Sequence, residues 1–315
     1  MKPRPNPRLP WRILAPALLV WPLAVGLARE SAVPAPPPAA EAAEQTDVPP
    51  ARDFLRFTEN DDRAALESAE VVYRNEAGAE VHLIGAVHIG DKTYYDALNA
   101  DFREFEALLF ELVASRHQLK RLKAARGKRK VTLGSGDSAI GNLQRMMQKA
   151  LGLEFQLDHI DYAAANFVHA DLDAEAFRKL QEDRGENFLT LLGKSIKMEK
   201  MRRERGNVKS LTLFDLVRIL RSKDSPTDLK LALGEQFQDI EELIGGIEGQ
   251  EGSVLLTERN KAAARVLKKS IDGGKKSIGL FYGAAHLPGI EEILVRDLGF
   301  THAETKWRTA WDIPK

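Results

Sequence analysis

Cysteine is absent from the 315 residues, so disulfides, thiolate metal sites and a cysteine nucleophile are excluded. An excess of charge is lacking too. The 46 Lys+Arg are balanced by 46 Asp+Glu, which excludes nucleic-acid binding through bulk positive charge. No G-x-x-x-x-G-K-[ST] phosphate loop, H-E-x-x-H zinc helix or G-x-S-x-G nucleophile elbow occurs, and the chemistries those motifs carry go with them. Gly134, Gly136 and Gly141 miss the dinucleotide spacing and read as a loop entering a helix. What remains is 43% hydrophobic and 29% charged, the balance of a soluble globular chain rather than a disordered or multispanning one. The length allows one large or two small domains.

The N-terminus has a distinct composition. Lys2, Arg4, Arg8 and Arg12 precede an uncharged stretch at 13–28 that ends Gly26-Leu27-Ala28. A basic start, a short apolar core and a small-x-small ending are the parts of an export signal. A span needs about 20 apolar residues, and Pro16 and Pro22 interrupt this one. The alternatives are a cleaved signal, an uncleaved N-terminal anchor and a buried helix. Residues 31–50 are mostly Ala, Pro and Glu, a composition that makes a tether and no core. The expected organisation is therefore a signal or anchor at 1–28, a linker at 29–50 and a single folded domain at 51–315. That domain would sit outside the cytoplasmic membrane of a bacterium, in the periplasm or cell envelope, released or tethered.

Within the folded part, 67–74 and 80–84 flank the turn sequence Asn75-Glu76-Ala77-Gly78 and predict a β-hairpin. Tyr95, Leu98, Phe102 and Phe105 recur at helical spacing after Asp91, a candidate N-cap. The run LLFELV at 108–113 predicts a buried strand. Residues 115–130 carry Arg116, Lys120, Arg121, Lys123, Arg126, Lys128, Arg129 and Lys130 without an acid. Such a run is a solvated face, or else a contact for anionic lipid headgroups or an acidic partner. Helical patterns recur at 138–151, 174–182, 188–203, 212–220 and 229–244; 277–282 is strand-like, 286–298 helix-like, and 300–313 reads as a closing hairpin. The expected class is α/β (α+β), a central sheet flanked by helices with a long helical insertion.

One feature occurs twice. Gly85-Ala86-Val87-His88 follows the strand EVHLI, and Gly283-Ala284-Ala285-His286 follows SIGLFY. Each is an apolar strand, then G-x-x-H, then a helix, so the domain reads as internally duplicated. At the carboxyl end of a sheet strand, glycine permits a tight turn while histidine projects into the crevice where α/β ligands bind. A neutral imidazole there serves as a metal ligand or a general base.

The ordered anchors GAVH, a strand glutamate, ERN and GAAH, with LFELV in the first unit and LLTERNKAAARVL before the second, resemble the TraB/TIKI/GumN family. The similarity covers roughly residues 71 to 307, most of the folded chain. The resemblance implies an α/β domain with an internal duplication, related to the erythromycin-esterase and ChaN-like folds. It implies a metal-dependent peptidase acting on peptides or secreted proteins, with manganese or cobalt favoured. Other members limit the activity of secreted peptide pheromones, so a non-catalytic peptide-sequestering protein is the alternative, and haem or iron binding a third. By the match, His88 and His286 are the paired histidines, Glu111 is the strand glutamate, and Glu258, Arg259 and Asn260 are the ERN element. The basic segment 115–130 and the helical middle match nothing that carries over, so substrate identity does not transfer.

Read physically, Glu111 among apolar neighbours is costly unless paired or metal-bound. It is a solvent-leaning or arginine-paired residue, a metal ligand, or a base with a raised pKa. Two histidines and one carboxylate would leave coordination positions open for water and suit Mn, Co or Zn. Arg259 is either a surface ion pair or a guanidinium aimed at an oxyanion. Glu258 orients a histidine or is solvated, and Asn260 holds the loop or a substrate carbonyl. His82 is expected to face away from the first turn. His169 with Asp171 is the one other pair with possible chemistry, against a loop or cap role; His117, His159 and His302 have no supporting context.

Overall fold

The computed structural model describes residues 53–128, 148–186, 224–237 and 252–315, with 131, 133, 145, 146, 190, 218, 219, 221 and 222. The leader 1–28, the linker 29–50, the glycine cluster and the patterns at 188–203 and 212–220 fall outside them, wholly or in nearly all their residues. Among the described residues no helix is long and apolar enough to cross a membrane.

The expected hairpin forms from β2 (Arg63–Arg74) and β3 (Glu80–Ala86). Gly78 in its turn has φ 76°, a backbone region that favours glycine. β1 (Leu55–Glu59) pairs with the first half of β2, and β3 pairs with the second half. β3 then lies parallel to β8 (Ser277–Gly283), β8 to β5 (Ala107–Phe110), and β5 to β7 (Phe167–His169). A two-residue pair, β4 (Ile89–Gly90) with β6 (Glu154–Phe155), stands apart from this sheet.

The inner strands are buried on both faces, and their residues alternate between two cores. Ile84, Leu108, Phe110 and Phe281 pack into one with Tyr94, Tyr95, Leu98 and Phe102. Leu83, Leu109, Leu280 and Tyr282 pack into the other with Ala263, Leu267, Leu287 and Ile290. α1 (Lys92–Asp101) therefore covers one face. The other face is covered by two further helices, Arg259–Asp272 and Leu287–Glu292. From β3 the chain crosses over β8 through α1 to reach β5. From β8 it crosses the opposite way, over β3 and β2, through Leu287–Glu292 to β9 (Thr301–Pro314). Right-handed crossovers in opposite directions require helices on opposite faces. The carboxyl ends of β3 and β8 are thus a topological switch point, where open α/β sheets hold ligands.

Four expectations need correction. Residues 300–313 are no hairpin: β9 is one long strand along the free edge of β2, pairing from Arg63↔Pro314 to Arg74↔Thr301. The sequence THAETKWRTAWDIP lacks a turn signal, and bulges at Leu66/Glu67 and Val72/Tyr73 keep the two strands in step. The apolar run 108–113 is strand only to Phe110, so Glu111 stands just past β5. The helix after Asp91 stops at Asp101; Phe102–Glu104 is a 3₁₀ turn, and Phe102 and Phe105 stay buried beyond the helix. Asp91 makes no side-chain cap, because its carboxylate accepts the Asp312 N–H at 2.6 Å. The basic segment begins as a helix, α2 (Arg116–Ala125), capped by Ser115. Its Arg116 pairs with Asp173 and Glu175 while Lys120, Lys123 and Lys128 stand exposed.

The end of β9 holds the loop beyond the first histidine turn. Trp311 is fully buried, its Nε1 donates to the Ile89 carbonyl at 2.5 Å, and its ring meets Phe237 edge-on at 5.4 Å. Trp311→Ala is expected to cost about 3–5 kcal/mol in denaturant unfolding. Trp311→Phe, which keeps a ring and loses one bond, should cost about 1–3 kcal/mol. Equal losses in the two variants would show that the buried ring adds nothing beyond the Ile89 bond, and no loss in Trp311→Phe would show that the bond does not anchor the loop.

Candidate functional site

The two G-x-x-H turns end adjacent parallel strands in register, with Gly85 opposite Tyr282 and Ala86 opposite Gly283. Neither turn glycine has a positive φ, so both serve close approach rather than a left-handed turn. A Cβ at Gly85 would meet the Ala69 and Phe54 carbonyl oxygens at 3.3 Å. A Cβ at Gly283 would stand 3.2 Å from Glu111 Oε2, 3.4 Å from His88 Nε2 and 3.8 Å from His286 Cδ2. The three side chains expected to act together converge where that glycine leaves space.

The first turn is fastened by two adjacent tyrosines of α1. Tyr94 Oη donates to the Gly85 carbonyl at 2.9 Å, and Tyr95 Oη to the Val87 carbonyl at 2.8 Å. His88, 9% exposed, bonds through Nδ1 to Gln156 Oε1 at 2.9 Å. Gln156 opens α3 (Gln156–His159), and its Nε2 donates to Tyr162 Oη at 2.8 Å.

In the second turn, His286 bonds through Nδ1 to Asn260 Oδ1 at 2.7 Å, and Asn260 Nδ2 donates to the His286 carbonyl at 3.2 Å. Gly289 makes room for that amide: a Cβ there would lie 2.6 Å from Asn260 Nδ2. His286 Nε2 lies 3.3 Å from Arg259 Nη1 and 3.6 Å from Glu111 Oε1.

Arg259, 3% exposed, joins the elements. Its Nη2 donates to Glu111 Oε1 and to Asp171 Oδ2, each at 2.6 Å, and its Nε to Asp171 Oδ1 at 3.0 Å. Glu111 Oε2 accepts the Gly283 N–H at 2.7 Å. Asp171 also accepts the Leu112 and Leu172 N–H groups. Two buried carboxylates thus share one guanidinium.

Burial pushes His88 down, although Glu111 and Gln156 pull the other way. His286 is pushed down to about 4, by burial first and against the pull of Glu111. Burial would raise Glu111, but Arg259 leads the charges and bonds that hold its carboxyl well below the usual range. The base with a raised pKa is therefore ruled out for Glu111, which is an ionised, arginine-paired carboxylate. Burial would lower Arg259; Asp171 and Glu111 raise it instead. The imidazoles are neutral and the ion pairs charged at neutral pH.

A cleft of ≈ 40 Å³ reaches His88, Glu111 and His286 between apolar walls that include Leu55, Val87, Ile89 and Phe237. That is room for about three waters, since one needs about 10–15 Å³. The donor set fits a divalent ion in kind: two neutral imidazoles, each with Nδ1 bound to a carboxamide, beside a carboxylate. Among the described residues no three His, Asp or Glu side chains stand at coordination spacing, and Arg259 lies between Glu111 and His286.

Of the expected residues, His88, Glu111, Arg259, Asn260 and His286 come together. Glu258 does not; its carboxylate takes Arg184 at 2.6 Å and Lys261 at 3.0 Å. His169 and Asp171 separate: His169 Nε2 bonds to the Leu112 carbonyl at 2.7 Å, while Asp171 joins the site. The sequence did hold a signal for Asp171, an acid just past an apolar strand like Glu111. Gln156 had none. His82 bridges Glu70 and Glu80 as a strand residue, His159 stacks on Tyr95, and His117 and His302 are exposed.

No family model, curated protein or solved structure matches the chain.

The depressed imidazoles give stability a pH dependence of definite sign. In the unfolded chain a histidine takes up its proton near pH 6.5, whereas folded His286 waits until about 4. The unfolded state then holds more protons between those values, so stability is full above 6.5 and falls as pH drops toward 4. The loss attached to His286 is on the order of 3 kcal/mol. His82, raised by Glu70 and Glu80, acts oppositely, so the wild type must be compared with His286→Gln. The variant should show the shallower decline in urea midpoint from pH 7.5 to 4.5. Parallel declines would mean that His286 is not buried neutral.

Proposed function

We propose that the protein is an exported hydrolase that cuts peptide bonds at the switch point between β3 and β8. The observation that carries this reading is the convergence of His88, Glu111 and His286 beside Gly283, with Arg259 held among them. The resemblance to the TraB/TIKI/GumN family and the export-type N-terminus support it independently.

His88 Nε2, with Nδ1 already bound to Gln156, offers its lone pair to a water in the cleft. It takes the water's proton as the water attacks the scissile carbonyl, and returns it to the departing amine. The Glu111 charge favours the imidazolium while it exists, as the opposite charge nearby does for any such group. Arg259 Nη1, on the His286 side, supplies positive charge toward the developing oxyanion. His286 fixes that end of the guanidinium by accepting from Nη1. Arg259 occupies the His286 and Glu111 atoms in this arrangement; were a divalent ion, Mn, Co or Zn, to displace it, His88, Glu111 and His286 would hold the ion, which would supply carbonyl polarisation and a more acidic water. Apolar walls at Leu55 and Phe237 suit an apolar substrate group next to the scissile bond.

The test is incubation of the purified protein with a peptide library, with and without Mn²⁺, Co²⁺ or Zn²⁺. His88→Ala and His286→Ala should each lose about 100- to 10,000-fold in turnover. The double variant should be little worse than either, because groups acting as a unit are non-additive. No cleavage under any metal refutes the hydrolase, and near-normal turnover in a folded single variant refutes the paired-histidine site; tight binding of intact peptide would mark a sequestering protein. Fusion of residues 1–50 to a reporter active only after export should give activity, and a silent exported reporter would contradict the location.

A further inference from the structure

The two histidines are gripped in the same way by residues from unrelated elements. Each is held at two points, its own backbone carbonyl and its ring Nδ1, by one carboxamide residue. For His286 that residue is Asn260, through Oδ1 at 2.7 Å and Nδ2 at 3.2 Å. For His88 it is Gln156, whose side-chain Oε1 meets Nδ1 at 2.9 Å and whose backbone N–H donates to the His88 carbonyl at 2.9 Å. Asn260 follows Arg259 in a helix already marked by the ERN element. Gln156 lies in the middle of the chain, 68 residues from His88, where the family resemblance carries over no residue.

We propose that Gln156 is the positioning residue of His88: it locks the imidazole as the Nδ1–H tautomer, so that the Nε2 lone pair beside Gly283 is left for the cleft. The lock depends on the amide oxygen pointing at the ring, which is its orientation here. Gln156 Nε2 is taken by Tyr162 Oη at 2.8 Å, which leaves Oε1, an acceptor alone, for His88. Gln156 is 3% exposed and Tyr162 2%, so water does not compete for either group. A neutral imidazole carries one donor and one acceptor nitrogen, so a bond from Nδ1–H to an acceptor makes Nε2 the acceptor. This is the form needed by a proton acceptor and by a metal ligand alike, so Gln156 acts through His88 in either chemistry. The backbone N–H of Gln156 fixes the turn's carbonyl at the same time, coupling ring and main chain. The short α3 thus has a role at the site although it does not line the cleft.

The rate consequence rests on the hydrolase reading; the tautomer does not, and the experiment separates them. Full-length protein labelled with ¹⁵N-histidine is examined without metal at pH 7.5 by long-range ¹H–¹⁵N correlation, the His88 ring being assigned with His88→Gln. Wild type should show His88 with protonated Nδ1 and bare Nε2. Gln156→Met, of similar length and with no oxygen acceptor, should move His88 to a mixed or Nε2–H state while His286 keeps its signature. Gln156→Glu, which restores an acceptor, should return the Nδ1–H form. Turnover on any peptide that the wild type cleaves should fall about 10- to 100-fold in Gln156→Met and recover at least in part in Gln156→Glu. An Nε2–H tautomer in the wild type overturns the proposal without any variant, even if Gln156→Met does not fold. An unchanged His88 signature in folded Gln156→Met overturns it as well. The expected tautomers with no cleavage by the wild type would leave Gln156 in this role and remove only the hydrolase.

Discussion

The charge of Arg259, shut away from water, is the constraint on which the site depends. A guanidinium that is 3% exposed must be neutralised and hydrogen-bonded, since an unpaired buried ion costs several kcal/mol. Glu111 from the end of β5 and Asp171 from beyond β7 supply that charge. Glu111 in turn binds the Gly283 N–H, which sets the second histidine turn. The ion cluster therefore ties together the ends of three parallel strands and the helix that carries Arg259. Such a cluster is weak evidence of stability, because apolar residues of similar volume often stabilise as well. Its presence in an otherwise apolar core points to a use for the charges.

Topology explains why these groups meet. β3 and β8 are neighbours in space but are separated by some two hundred residues, and the connections leaving them run in opposite directions. Helices on opposite faces leave a crevice at the carboxyl ends of the pair, which both G-x-x-H turns enter. Tyrosines of α1 fasten one turn from one face, and Asn260 fastens the other from the opposite face. The two turns look alike in sequence yet differ in surroundings. His286 Nε2 meets the guanidinium, while His88 Nε2 lies beside Gly283 at the cleft. The long edge strand β9 reaches the same crevice through Trp311 and Ile89, so the end of the chain also stiffens the first turn.

Much of this could be read from residue order. Alternating and continuous apolar runs marked β2, β3, β5 and β8, and the repeated G-x-x-H marked two strand ends. The anchors brought His88, Glu111, Arg259, Asn260 and His286 into one list, and all five converge. The misses have physical causes. β9 read as a hairpin because its exposed, charged first half looks like one amphipathic strand and its buried Ala310, Trp311 and Ile313 like another. Glu258 shares the ERN anchor, but helical geometry turns it toward Arg184 on the surface. Asp171 is singled out in the sequence with His169 but meets a guanidinium 88 residues away instead, and Gln156 is a tertiary partner: nothing local distinguishes a carboxamide that meets a histidine 68 residues away from one that meets water.

Unfolding measured across a cycle of variants at the ion cluster tests the central claim most directly. Arg259→Met alone should cost about 3–5 kcal/mol, because it strands two buried carboxylates. Adding Glu111→Gln and Asp171→Asn to it should recover more than half of that loss, since the neutral triple leaves no charge unpaired. Additive losses in the triple variant would mean that Arg259 is not the common partner of Glu111 and Asp171, and that the site is not organised around its charge.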